Sequence, residues 1–129
     1  TLSPSSAASD VYKRQRAGRL VVDNFRQAQT EEWVDSLAWV VMPDHFHWLV
    51  ELKNNSLSAL VLATKSRSAR AINARLERTG MVWQRGFRDR AIRREEDLQA
   101  VARYIVANPM RAGLVTRIND YPLWDAKWL

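Results

Sequence analysis

His45 and His47 stand two residues apart in the stretch Met42-Pro43-Asp44-His45-Phe46-His47-Trp48-Leu49, and the chain holds no other histidine. Neutral imidazole is the commonest metal ligand among side chains. On an extended strand, residues two apart share a face about 7 Å from one another, so both rings can converge on one ion. Two ligands make half a site. Taken alone, the pair is also readable as two structural histidines, because so short a motif recurs by chance. Further along, Tyr104 and Asn108 lie four apart in a helical run, so a phenol and an amide project side by side from one flank. Basic residues gather in two places. Lys65, Arg67, Arg70 and Arg78 sit in one helical run, and Arg85, Arg88, Arg90 and Arg93 interleave with Trp83 and Phe87. Cations that hold phosphates beside aromatics that stack bases are the ingredients of single-strand binding. The same pattern suits a solvated basic face with its aromatics turned inward, and Phe87 is expected in the core.

Several elements must position these groups. Residues 37–42 form a continuous apolar, β-branched run, as a strand covered on both faces does. Pro43-Asp44 supplies turn chemistry, and a second strand follows. On it His45, His47, Leu49 and Glu51 take one face, and Phe46, Trp48, Val50 and Leu52 the other. Ahead of this hairpin, Leu20, Val21, Phe25, Ala28 and Trp33 predict a helix over 20–34. Behind it, Ser56 is the N-cap of a helix reaching about residue 78, with Leu57, Val61, Thr64, Ser68 and Ile72 inward and Gly80 at its end. Residues 81–84 and 86–93 read as two short strands or a bent one. Glu95-Glu96-Asp97 opens a helix, with Leu98, Val101, Ala102 and Ile105 inward. Asn108-Pro109 closes it. The aromatic tail from Tyr121 is expected to lie back over the core.

The 129 residues suffice for one domain, and 47% hydrophobic content with six tryptophans fits a folded one. A net charge of +6 points to a polyanionic partner. The absence of cysteine excludes disulfides and thiolate metal sites and suits a cytoplasmic protein. No apolar run approaches the roughly 20 residues of a membrane helix. Ser5-Ser6-Ala7-Ala8-Ser9-Asp10-Val11-Tyr12-Lys13-Arg14-Gln15 resembles the translation of a sequencing-library adapter. Residues 1–15 are therefore expected to be a disordered leader standing where the genuine N-terminus is missing, and 16–129 to be the domain.

His45-Phe46-His47 behind Val41-Met42-Pro43-Asp44 resembles the histidine-hydrophobic-histidine motif of the single-tyrosine transposases. Trp83-Gln84-Arg85-Gly86-Phe87, Arg94-Glu95-Glu96-Asp97-Leu98 and Tyr104-Ile105-Val106-Ala107-Asn108-Pro109 resemble the branch associated with repetitive extragenic palindromes. The similarity runs from about residue 25 to 129. It implies an α/β fold: a ferredoxin-like antiparallel sheet with helices packed on one face and the active site on the other, here without its opening strand. It implies cleavage and rejoining of single-stranded DNA hairpins through a 5′-phosphotyrosine, with Tyr104 as nucleophile. It implies a divalent ion, Mg2+ or Mn2+, on His45, His47 and Asn108. Lys65, Arg67, Arg70, Arg85, Arg88 and Arg90 are the expected DNA contacts, although Arg88 and Arg90 stand where relatives often carry histidine. Monomer and homodimer stay open. The alternative is a hairpin-binding protein of the same fold without catalysis. A structural zinc site fits poorly, for want of further histidine or cysteine.

Overall fold

Four helices and a three-stranded antiparallel sheet are built from residues 4–93 and 97–128, those the computed structural model describes. The first helix, α1, spans Pro4–Thr30. Residues 4–15 are therefore helical rather than the expected disordered leader. Proline is at home in a first helical turn, Ala7 and Ala8 favour helix, and extending an existing helix costs no new nucleus. Val21, Val22, Phe25 and Ala28 form the buried stripe of α1. The helix stops short of the predicted residue 34: Glu32 turns left-handed at φ 62°, and the Trp33 amide closes onto the Ala28 carbonyl at 2.9 Å.

Strands β1 (Val34–Val41) and β2 (Phe46–Leu52) form the expected hairpin. Its turn is closed by the Met42 amide donating to the His45 carbonyl at 2.8 Å, across Pro43 and Asp44. Val41 pairs with Phe46, Val40 with His47 and Trp39 with Trp48, and a bulge between Ser36 and Ala38 absorbs Leu37. Helix α2 (Leu57–Arg75) starts at Ser56, whose hydroxyl accepts from the Ala59 amide as predicted. It buries Leu60, Thr64, Ser68 and Ile72. It ends before Gly80: the chain turns out at Glu77, with φ 51°. Helix α3 (Leu98–Val106) is capped by Asp97, which accepts from the Gln99 and Ala100 amides. Glu95 and Glu96 lie outside the described residues. Helix α3 ends at Val106, just before Asn108-Pro109 as expected, and a separate short helix, α4 (Asn108–Arg111), follows with Pro109 in its first turn.

The tail does more than cover the core. Residues Trp124–Ala126 form β3, which pairs with β1 through Val40–Trp124 and Ala38–Ala126 and makes β1 the central strand. The Val41 amide donates to the Leu123 carbonyl at 2.9 Å, and the Tyr121 hydroxyl donates to the Val41 carbonyl at 2.5 Å. Tyr121→Phe should therefore cost about 1 kcal/mol. That corresponds to a fall in Tm of roughly 4 °C for a domain of this size. An unchanged thermal unfolding curve would show the bond to be worth nothing.

Helices α1 and α2 cover one face of the sheet. There Phe25 meets Trp48, Phe46 and Trp39 with ring centroids 4.3, 5.2 and 5.7 Å apart. Helix α3 lies across the other face, where Leu37, Ala38 and Leu49 pack against Ala102 and Val106. The outer side of β2 has no strand partner among the described residues.

Residues 81–93 form no strand, contrary to expectation. The Lys65 ammonium takes the carbonyls of Gln84, at 2.8 Å, and Gly86, the groups a ladder would need. The Trp83 indole donates to the Ser68 hydroxyl at 3.0 Å. Trp83 is the buried aromatic of this segment, at 8% exposure, and Phe87, expected in the core, is 46% exposed.

Candidate active site

His45 closes the β1–β2 turn and His47 follows on β2, and their rings meet edge to face with centroids 5.1 Å apart. Asp44, within the turn, accepts from His45 Nδ1 at 2.8 Å. That hydrogen bond is the main reason its carboxyl titrates below the usual range. An ionised Asp44 can only accept, so Nδ1 is the donor of this bond. Gln84 Nε2 donates to the second Asp44 oxygen at 3.0 Å. A chain of contacts thus runs from Lys65 on α2, through the Gln84 segment and Asp44, to His45. Carboxylates placed behind histidines in this way orient metal ligands.

His47 is half-buried on the face that α3 covers. Burial, then the neighbouring His45, then the Arg111 charge hold its pKa below the ordinary 6.5. It is neutral at pH 7, as a ligand must be. The native protein then binds fewer protons than the unfolded chain between the folded value and 6.5, so stability falls as pH drops through that window. In ring-proton NMR of the metal-free protein, the His47 midpoint should lie below 6.5. A midpoint at or above that value would contradict the burial argument.

Tyr104 projects from α3 with 67% of its surface exposed. Tyr121 is half-buried, spends its hydroxyl on Val41, and is pushed above the usual tyrosine range by burial. Of these two phenols, Tyr104 is the one open to a substrate. The Arg111 guanidinium lies over its ring, 3.9 Å from the centroid, and Arg111 Nη2 donates to the Tyr104 carbonyl at 2.6 Å. Asn108 opens α4 and donates its amide nitrogen to the Ile105 carbonyl at 2.9 Å, which leaves Oδ1 available as a ligand. Among the described residues, no group of three His, Cys, Asp or Glu is assembled for a metal.

The expected DNA cations separate. Arg67 stacks over Trp33, 5.1 Å from the ring, and approaches Glu31 at 4.0 Å, at the end of the hairpin away from the histidines. Lys65 is committed to loop carbonyls. Arg70, Arg85, Arg88 and Arg90 are exposed, and Arg85 adjoins Gln84 beside the histidine turn.

The profile of the family described as "Transposase IS200 like" matches residues 10–108. The chain belongs to the IS200-like transposase family. Among curated proteins of this family, the REP-associated tyrosine transposase of Escherichia coli K12 is 30% identical over 87 residues, covering 66% of this chain and 50% of the relative. The putative REP-associated tyrosine transposase of Haemophilus influenzae is 29% identical over 116 residues, covering 78% of this chain and 66% of the relative. This transposase-family chain thus spans half to two thirds of the curated relatives it matches. A solved structure of a REP-associated tyrosine transposase bound to a REP hairpin shares the fold, with TM-score 0.66 and 24% identity, over 81% of this chain and 62% of that one. The α/β class with an antiparallel sheet stands on that likeness and on the strand pairing.

Three residues of the site escape the sequence reading: Asp44, Gln84 and Arg111. Asp44 is read only as a turn former, although a carboxylate next to a ligand histidine is itself a signal. Arg111 stands seven residues, two helical turns, after Tyr104. The expected helix stop at Pro109 conceals that spacing.

Proposed function

We propose that this chain cleaves and rejoins single-stranded DNA carrying hairpins through a covalent tyrosine link, and so serves DNA transposition. The observation that carries the reading is the exposed Tyr104 with the Arg111 guanidinium stacked on its ring, in a chain that also holds His45 and His47 edge to face at the start of β2. In the proposed step the Tyr104 oxygen bonds to phosphorus while the bond from phosphorus to the 3′ oxygen breaks. The phenolic proton goes to a base or solvent, and the leaving oxygen takes a proton and becomes a 3′-hydroxyl. One phosphoester replaces another, so rejoining needs no nucleotide cofactor.

The donor set suits a divalent ion. His45 offers Nε2, His47 is neutral, and Asn108 has its amide nitrogen turned away. Imidazole and amide ligands favour Mn2+ over Mg2+, which prefers oxygen alone. When bound, such an ion supplies charge withdrawal from a non-bridging phosphate oxygen. The exposed Arg70, Arg85, Arg88 and Arg90 serve as phosphate contacts, and the exposed Phe87 beside them offers a stacking surface.

The test is a denaturing gel after incubation with a 3′-labelled hairpin oligonucleotide and Mn2+. The reading requires label at protein mobility and a free 3′-hydroxyl on the other fragment. Tight hairpin binding without adduct or cleavage would favour the non-catalytic alternative.

A further inference from the structure

We propose that Arg111 is a catalytic residue whose guanidinium meets the scissile phosphate as Tyr104 attacks it. The inference rests on the function proposed above, and it adds a residue to that reaction. Arg111 ends α4, just past the bend at Ala107 and Asn108 that turns the helical path after α3. Two observations place it. Its guanidinium carbon lies 3.9 Å from the centroid of the Tyr104 ring. Its Nη2 donates to the Tyr104 carbonyl at 2.6 Å. A phosphate brought to the Tyr104 oxygen therefore comes within reach of this cation.

The simpler account makes Arg111 a cap. Tyr104 contributes one of the last four carbonyls of α3, groups with no helical partner of their own, and a basic side chain often satisfies one. That account explains one nitrogen. A guanidinium has five N–H donors in a planar fork that matches two oxygens of a phosphate, and the capping bond leaves most of them. Nor does a cap require stacking on the one exposed, described phenol. Tyr104 and Arg111 are both exposed, so a DNA strand can reach them together. Extra negative charge develops on the phosphoryl oxygens during attack, and a fixed cation there favours the transition state over the ground state. The bonds made and broken are those of the proposed step. Arg111 exchanges no proton and contributes charge and orientation.

The experiment compares wild type, Arg111→Ala and Arg111→Lys on two 3′-labelled hairpin oligonucleotides. One carries the ordinary scissile phosphodiester. The other carries a methylphosphonate there, whose methyl group removes the negative charge. On the phosphodiester, Arg111→Ala should cut the rate of adduct formation on the order of 100-fold, the loss typical of one electrostatic donor. Arg111→Lys should recover part of it, because charge remains and the fork is lost. Hairpin affinity should stay within about threefold of wild type, since a single phosphate contact is a small share of the total. On the methylphosphonate the gap between wild type and Arg111→Ala should close to about tenfold or less, because no charge remains to be met. A purely structural role cannot produce that difference, because a misplaced tyrosine slows both substrates alike. The proposal is overturned if Arg111→Ala cleaves the phosphodiester within about threefold of wild type. It is equally overturned if the defect is the same on both substrates, or if Arg111→Ala does not fold and Arg111→Lys shows no smaller defect on the methylphosphonate. Absence of adduct from wild type overturns the underlying reading as well, so the two failures are told apart.

Discussion

Tyr104→Phe should abolish the covalent protein–DNA adduct while the protein still folds and binds a hairpin. The substitution deletes one oxygen and keeps the ring over which Arg111 stacks. The residue is 67% exposed, so little packing is lost and stability should change by less than about 0.5 kcal/mol. Loss of a nucleophile has no substitute among the neighbouring groups: the Tyr121 hydroxyl is bound to Val41 on the central strand. Cleavage should therefore fall by on the order of 10⁴-fold or more. The measurement is the same denaturing gel, with hairpin affinity determined in parallel. Residual adduct in Tyr104→Phe would move the nucleophile elsewhere and break the link between Arg111 and the chemistry. Loss of adduct together with loss of binding would mean that the phenol serves recognition instead.

His47→Ala should remove metal-dependent cleavage, by about 10³-fold if the ion supplies a few kcal/mol to the transition state. His45→Ala should do the same. Asp44→Asn tests the support behind His45. An amide there can keep a hydrogen bond to Nδ1 but carries no charge to fix the tautomer, so metal affinity should weaken about 10- to 100-fold. The ordering matters more than any single value: the histidine substitutions must cost more than Asp44→Asn. Mn2+ titration followed by calorimetry, with hairpin affinity measured separately, checks it. DNA affinity should hold, because the exposed arginines proposed as phosphate contacts lie outside the substituted set. Unchanged Mn2+ affinity in His47→Ala would rule out the metal site as drawn.

What the sequence by itself determined is local. The Pro43-Asp44 turn, the Ser56 cap and the alternation along β2 depend on neighbours a few residues away, and period and turn chemistry suffice to place them. The stripes of α2 and α3 follow only in part, since Leu60 and Val106 are buried and Leu98, expected inward, is exposed. His45 and His47 share a face for the same reason. Tertiary structure decided what depends on distant partners. Trp124–Ala126 has no strand signature over three residues and becomes β3 only because β1 presents an unpaired edge to it. Trp83 takes the buried place expected of Phe87 because Ser68, fifteen residues before Trp83, offers the hydroxyl that a buried indole requires. Lys65 reads as a phosphate contact in the chain and serves as a loop anchor in the fold, since an ammonium binds whichever carbonyls come near. Arg111 joins Tyr104 only because a second short helix, α4, begins directly after α3 stops, which the helix-stop rule, applied locally, does not foretell. Local energetics wrote the hairpin that bears the histidines. Packing between elements far apart in the chain brought Gln84 to Asp44 beside it, and Arg111 to Tyr104.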